Sequence, residues 1–190
     1  MRVISGSARG RKLLTPKNDR IRPTADRVKE SLFNILAVQT GNLAGLKVLD
    51  VFAGTGNLGI EALSRGAAEA VFIDENREAA SLVKKNLELT GLDGKGRVLQ
   101  KEALAALKML GTGTTPFGLV FLDPPYRKGL AGQVMEFLAG SALIDENTVV
   151  VAETAAREDL PEAFGRLRQF DRRVYGDTAI AFYMRENSEM

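Results

Sequence analysis

The 190-residue sequence contains no histidine and no cysteine. Without histidine the chain lacks a Ser-His-Asp triad and the side chain that most often acts as a general base. The same absence excludes histidine-based zinc sites, and the lack of cysteine excludes disulfides and thiolate chemistry. Catalysis by this chain would therefore use carboxylates, lysine, tyrosine, backbone groups or a cofactor, and we expect no metal site.

Long apolar runs are also missing. No stretch reaches the roughly 18 apolar residues typical of a membrane span, and residues 1–5 lack the apolar core of a signal peptide. The composition, 45% apolar and 26% charged, is that of a globular protein. We therefore expect a monomer located in the cytoplasm, with no membrane partner.

Charge is nearly balanced over the whole chain but is concentrated at one end. The net charge is +2, whereas residues 1–30 contain nine basic and three acidic residues. Such a segment predicts a polyanionic partner, although a solvated basic tail has the same composition. Apolar residues at helical spacing predict a helix over 24–39 that packs on the main body and exposes Lys29. We place a basic hairpin and helix in residues 1–40 and the main domain in residues 41–190.

The rest of the chain alternates between strand and helix patterns. Apolar runs predict strands over 46–52, 70–74, 96–101, 117–122 and 148–153. Residues 167–175 and 178–184 read as a hairpin. This order predicts an α/β fold, with a mostly parallel seven-stranded sheet and a C-terminal antiparallel hairpin. A small β-hairpin over residues 2–14 precedes it.

A glycine-rich turn follows the first of these strands. Gly54, Gly56 and Gly59 match the pattern G-x-G-x-x-G, and Asp74 lies 20 residues after Gly54. The pattern is typical of a turn that brings backbone N–H groups close to a nucleotide. Read literally it also fits a nicotinamide-dependent oxidoreductase, and a glycine turn that binds nothing stays an alternative.

Four acidic residues each lie at the C-terminal end of a different predicted parallel strand. They are Asp50, Asp74, Glu102 and Asp123. Ligands of such sheets bind beyond the carboxyl ends of the strands, so these positions predict one binding edge. A single carboxylate in this position can also serve only as a helix cap.

Asp123 opens the sequence Asp123-Pro124-Pro125-Tyr126. Two prolines fix the backbone and leave carbonyl groups without neighbouring N–H donors. The resulting loop presents acceptors suited to an exocyclic amine, and Tyr126 can stack on a base. The alternative is a rigid turn with a tyrosine facing solvent.

Residues 50–56 together with residues 123–126 resemble the class I S-adenosylmethionine-dependent methyltransferases that act on exocyclic amines. Segments 9–13, 22–34, 58–67 and 175–178 extend the likeness over essentially the whole chain. In these segments the sequence is similar to the bacterial 16S ribosomal RNA guanine-N2 methyltransferase family of RsmD type. That resemblance implies a Rossmann-like methyltransferase fold.

The resemblance also implies a role for each candidate residue. S-adenosylmethionine would be held by Asp50, Phe52, Gly54, Gly56, Asp74 and Glu102, with Asp74 on the ribose and Glu102 on the adenine amine. The target guanine would be held by Asp123, Pro124 and Tyr126. The RNA, either ribosomal RNA or the small ribosomal subunit, would contact Arg9, Arg11, Lys12, Arg22 and Arg27. Methylation of adenine N6 in another nucleic acid and a non-catalytic RNA-binding module are the competing functions.

Overall fold

The computed structural model describes residues 1–16, 26–111, 115–125 and 129–186. The helices are α1 (Asp26–Thr40), α2 (Asn57–Ser64), α3 (Arg77–Thr90), α4 (Ala103–Leu110) and α5 (Leu130–Ala139). The strands are β1 (Lys47–Val51), β2 (Glu69–Asp74), β3 (Gly96–Gln100), β4 (Leu119–Leu122), β5 (Val149–Ala155), β6 (Ala163–Phe164), β7 (Leu167–Tyr175) and β8 (Thr178–Arg185). None of the described helices has the length and apolar character needed to cross a membrane.

All eight strands join one sheet in the order β3-β2-β1-β4-β5-β8-β7-β6. Strands β1 to β5 pair in parallel, and β8 pairs antiparallel with both β5 and β7. The predicted α/β fold with a C-terminal hairpin is therefore confirmed. The strand that the sequence did not predict is β6, which pairs Ala163 with Arg168 of β7. Two residues are too few to show an alternating pattern.

The sheet has a hydrophobic core on each face, because successive strand residues point to opposite sides. Val48 packs on the side of α1, α2 and α3, whereas Leu49 and Val51 pack on the side of α4 and α5. This alternation decides which strand-end residues share a face. Asp50 lies two residues after Val48 and Asp74 two residues after Phe72, so both side chains point to the α1 side of the sheet.

The N-terminal hairpin packs directly on the first of these cores. Arg2 and Lys12 form an antiparallel bridge, and Val3 and Leu13 are buried with Leu32 of α1. At Gly6, where φ is +82°, a Cβ atom would lie 1.7 Å from the carbonyl oxygen of Ser64. Only glycine permits this approach. The described part of residues 1–40 thus shares a core with the sheet, and the domain boundary at residue 40 stays a prediction.

Lys29 is not on the exposed face of α1, so that prediction was wrong. Its side chain is 1% exposed and its Nζ lies 3.1 Å from Oε2 of Glu61, which is 0% exposed. The same Nζ donates hydrogen bonds to the Arg2 carbonyl at 2.6 Å and to Asn57 Oδ1 at 2.8 Å. A buried ammonium is tolerated when it is paired and hydrogen-bonded in this way. The helical spacing of α1 could not reveal this, because Glu61 lies in a different helix.

Glu61 is equally well partnered. Its carboxylate accepts hydrogen bonds from the backbone N–H groups of Ile4 and Ser5, at 2.8 and 3.0 Å, and from Nε of Arg65 at 2.8 Å. The hairpin, α1 and α2 therefore meet at one buried ion pair. We call Lys29, Glu61 and Asn57 the buried junction.

We expect Lys29→Ala to lower the free energy of unfolding by about 3 kcal/mol or more, because it leaves the Glu61 carboxylate buried without its cation. Lys47→Ala is the matched control, since Lys47 pairs with Glu69 at 2.9 Å on the surface. Loss of that exposed pair should cost less than about 1 kcal/mol. Urea titration of both variants measures the difference, and equal losses would contradict the assigned importance of the buried junction.

Candidate functional site

A cleft of about 780 Å³ opens at the carboxyl ends of β1 to β5. Every described site candidate predicted as a cofactor or base contact borders it, except Gly56. The lining includes Asp50, Phe52, Gly54, Asp74, Glu102, Asp123 and Pro124. The predicted binding edge is therefore present as a single concave site. Met1 and Pro16 also border the cleft, so the N-terminal segment forms part of its wall.

The glycine turn forms the wall between β1 and α2. Phe52 has a φ of +64°, the only positive φ of a non-glycine residue in the described ranges. Such backbone strain is concentrated at functional sites in proteins. The N–H of Gly54 donates to Asp74 Oδ2 at 2.9 Å, and a Cβ atom on Gly54 would meet no atom within 4 Å. The space beside Gly54 is thus open to a ligand. Gly56 caps α2 behind the turn, and its contact with a cofactor stays a prediction.

Asp50 lies at the floor of the cleft and is 2% exposed. Its Oδ2 accepts a hydrogen bond from the N–H of Gly59 at 2.9 Å. The pKa of the Asp50 carboxyl is raised to about 8, mainly by burial and to a smaller extent by the charges of Asp123 and Asp74, against the opposing effect of the Gly59 hydrogen bond. Gly59 is required because a Cβ there would lie 2.3 Å from the Phe72 ring and 3.0 Å from Asp50 Oδ2.

Asp74 and Glu102 use their carboxylates differently. Asp74 accepts one backbone N–H on each oxygen, from Gly54 and from Asn76, both at 2.9 Å. Glu102 caps α4 by accepting from Leu104 and Ala105, at 2.9 and 2.8 Å. Glu102 therefore acts as a helix cap, the role that the sequence analysis gave as the alternative to ligand binding. Each oxygen of both residues retains a lone pair that can accept from a ligand.

Asp123 directly follows β4 and borders the cleft. Its side chain faces the cleft and is exposed there, although protein surrounds it on the other sides. Reduced hydration in this concave position raises the pKa of the Asp123 carboxyl to about 6. Pro124 is buried and Pro125 is exposed, which fixes the backbone beside the carboxylate.

Glu153 is a further cleft residue that the sequence analysis did not single out. It lies in β5, the strand next to β4, and its Oε2 is buried without a hydrogen-bond partner among the described residues. Burial and the charge of Asp123 raise the pKa of the Glu153 carboxyl to about 8. Its position near the carboxyl end of a predicted strand is the same signal that identified the other four acids, and it was overlooked.

The candidates for RNA contact are placed only in part. Arg9, Arg11 and Lys12 are exposed on the N-terminal hairpin, and Arg27 is exposed on α1. None of the four forms an ion pair with another described residue. Arg22 and Tyr126 lie outside the described residues. Within the described part of the chain, no group of three or more acidic side chains is placed to hold a metal ion.

Comparison with known proteins gives near full-length matches. The sequence model of the family described as conserved hypothetical protein 95 matches residues 1–184. The chain is 37% identical over 186 residues to ribosomal RNA small subunit methyltransferase D of Escherichia coli strain K12, covering 98% of this chain and 90% of the relative. It is 38% identical over 183 residues to the putative rRNA methyltransferase YlbH of Bacillus subtilis, covering 96% and 98%.

Solved structures have the same architecture. The putative methyltransferase yhhF from Escherichia coli matches with a TM-score of 0.83 at 36% identity, covering 98% of both chains. A putative methyltransferase crystallised with SAH, SMU.776, matches with a TM-score of 0.64 at 17% identity, covering 84% of this chain and 48% of that one. The second likeness supports the fold alone.

The raised pKa of Glu153 predicts a pH-dependent stability. The folded protein keeps this carboxyl protonated above the pKa of roughly 4.3 that it has when unfolded, so its contribution to stability falls as pH rises from there to about 8. Glu153→Gln removes that proton linkage. We expect the loss of unfolding free energy between pH 5 and pH 8 to be smaller in the variant, as measured by urea titration.

The exposed Glu146→Gln is the matched control for loss of one carboxyl group. An equal loss of stability in the parent and in Glu153→Gln would show that the Glu153 carboxyl does not retain its proton on folding.

Proposed function

We propose, because this chain belongs to the RsmD-type family of ribosomal RNA methyltransferases, that it transfers a methyl group from S-adenosylmethionine to the exocyclic N2 amine of a guanine in 16S ribosomal RNA. The family membership predicted from the sequence is confirmed by the full-length matches. The observation that carries the proposal is the cleft itself. The glycine turn and the proline-fixed Asp123 border the same cavity.

The cofactor half of the cleft fits S-adenosylmethionine. Asp74 has free acceptor capacity for ribose hydroxyls, and Gly54 leaves open space beside it. Glu102 can accept from an adenine amine with its remaining lone pairs. Asp50 would face the methionine end, where a nearby ammonium would favour its carboxylate form despite burial. When bound, the cofactor supplies an electrophilic methyl group on a sulfonium.

The residues of the chain then position the nucleophile and receive a proton. The lone pair of guanine N2 is delocalised into the ring, so the amine is a weak nucleophile. Asp123 and the Pro124 carbonyl would accept its two N–H bonds and direct the lone pair toward the methyl group. Such positioning can lower a barrier by roughly 7–11 kcal/mol.

No strong base is needed before transfer, because the amine becomes acidic only as it gains the methyl group. A carboxyl with a pKa of about 6, the value that reduced hydration gives Asp123, is ionised at neutral pH and can take that proton. This accounts for catalysis by a chain without histidine. The base must be unpaired or flipped out of its helix to reach the cleft.

The exposed hairpin cations supply a place for the RNA backbone. Arg9, Arg11 and Lys12 project from a hairpin whose neighbour, Met1, borders the cleft. Phosphates held there would anchor the RNA outside the cleft while the target base enters it. The substrate is therefore held by one basic surface outside the cleft and one acidic surface inside it.

The direct test is to incubate the protein and S-adenosylmethionine with small ribosomal subunits from a strain that lacks its gene. Mass spectrometry of the nucleosides should show new N2-methylguanosine. New N6-methyladenosine would overturn the base assignment, and no methylated nucleoside would favour a non-catalytic RNA-binding module. A melting temperature raised by NAD and not by S-adenosylhomocysteine would favour the oxidoreductase.

Two single variants should separate chemistry from cofactor binding. We expect Asp123→Asn to lower kcat by at least about 100-fold with unchanged affinity for S-adenosylhomocysteine, because it removes the proton acceptor. Asp74→Ala should weaken that affinity about tenfold or more, because it removes charged hydrogen bonds. Calorimetry and methyl-transfer kinetics measure both effects. Asp93→Ala, at an exposed acid in a short 3-10 turn, is the control.

If Asp123→Asn retains the parent rate, the proline loop is not the catalytic loop. If Asp74→Ala retains the parent affinity, Asp74 does not contact the cofactor.

The basic hairpin gives a separate prediction about RNA binding. If four or five cations meet phosphates, the logarithm of affinity should fall with the logarithm of salt concentration at a slope of about −3. Replacing Arg9, Arg11 and Lys12 together by alanine should flatten the slope by about 2 and raise the RNA KM more than it lowers kcat. Binding measured at several salt concentrations tests this. An unchanged slope and KM would mean that the hairpin is only solvated.

A further inference from the structure

Glu153 has a buried carboxyl oxygen that the proposed transfer does not use. Its Oε2 has no hydrogen-bond partner among the described residues, yet the side chain borders the cleft. A buried polar group without a partner is costly, and native structures keep few of them. Oε2 is shielded from solvent in this conformation, so rotation of the carboxyl group toward the cleft would let a ligand there supply the missing partner.

The order of the strands shows which part of the ligand lies near Glu153. The register of β4 and β5 pairs Leu122 with Ala152, so Asp123 and Glu153 are the next pair along. Neighbouring strands lie about 4.8 Å apart, which brings the two carboxyl groups within reach of one small molecule. Asp74 and Glu102 lie on the opposite side of β1, by β2 and β3. Glu153 therefore belongs to the base side of the cleft and not to the cofactor side.

Asp123 and Glu153 lie on the same face of the sheet, because alternate residues of a strand point to the same side. Phe121 and Val151 belong to the core on the α1 side, and Asp123 and Glu153 lie two residues after them. Asp50 shares that face. A flat base held by Asp123 would thus present its next ring edge to Glu153.

We propose that Glu153, as a neutral carboxyl group, recognises the target guanine by accepting the N1–H and donating to O6. This inference rests on the proposed function. A protonated carboxyl carries an acceptor and a donor side by side, and the N1–H and O6 of guanine are their complements. Asp123 and Pro124 keep the N2 amine, so each polar group of this guanine edge has a separate partner.

The charges around Glu153 support the neutral form. Burial, and to a smaller extent repulsion from the neighbouring Asp123, raises its pKa to about 8. Asp123 has the lower pKa of the two, about 6, so the pair holds its first proton on Glu153. Two carboxyl groups in one site cannot both ionise easily. With the proton on Glu153, Asp123 is the acceptor for the reacting amine and Glu153 is the donor for O6.

Adenine would make a poorer fit at this position. With its N6 amine at Asp123, the neighbouring ring position is an acceptor without hydrogen, and the position after it is a C–H. The carboxyl could then form only one hydrogen bond. Glu153 would therefore determine which base is methylated and would not affect the affinity for the cofactor.

Mass spectrometry of nuclease fragments of the methylated RNA first locates the modified guanosine. The test then replaces that guanosine with 2-aminopurine riboside in reconstituted small subunits. This base keeps the N2 amine but has neither O6 nor N1–H. We expect the parent enzyme to favour guanine over 2-aminopurine in kcat/KM by about 10- to 100-fold. Glu153→Ala should reduce the preference to less than about threefold, because it removes both hydrogen bonds. Glu153→Gln should keep most of the preference, since the amide offers the same acceptor and donor.

Calorimetry with S-adenosylhomocysteine checks that both variants keep the cofactor site, and Glu146→Gln is the activity control. A parent-like preference in Glu153→Ala, with N2-methylguanosine still formed, overturns this inference and leaves the proposed function intact. Loss of preference in Glu153→Gln equal to that in Glu153→Ala overturns the neutral form. If the parent forms no N2-methylguanosine, the proposed function fails and this inference fails with it.

Discussion

The buried pair between Lys29 and Glu61 is the interaction on which the rest of the structure depends. One carboxylate holds the N-terminal hairpin through two backbone N–H groups, and one ammonium holds α1 against α2. Lys29 also donates to Asn57, the first residue of α2, which borders the cleft. The buried hydrogen bond from Lys29 to Asn57 thus fixes the position of α2 and the shape of the glycine turn that precedes it. A cleft wall made of strained backbone needs such support.

Three poorly hydrated acidic side chains lie on one face of the sheet and border the cleft. Asp50, Asp123 and Glu153 all have raised pKa values, and loss of hydration is the main cause for each. A cation bound near Asp50 would relieve part of that cost on the cofactor side. A base with polar hydrogens would relieve it on the other side. Placing three poorly hydrated carboxyl groups together costs stability. The cleft favours a cation or a base with polar hydrogens because such a ligand recovers part of that cost.

The sequence allowed prediction wherever the signal was local. The glycine turn, the strand-end acids and the parallel direction of β1 to β5 follow from short patterns and from their alternation. Prediction failed where a distant partner decides the outcome. Lys29 looked exposed because its partner lies 32 residues away in α2. Glu153 did carry the local strand-end signal, but its pairing with Asp123 depends on the order of the strands, which no short segment encodes.

The position of β8 has a consequence for how the chain is made. Strand β5, which contains Glu153, is flanked by β4 on one side and on the other by β8, which is synthesised after all the other strands described. The hairpin at the opposite terminus likewise waits for α2 and for Asn86 of α3, which bonds to the backbone of Leu14. Contacts so distant in sequence form late in folding. The base side of the cleft is therefore completed only after β8 has been synthesised.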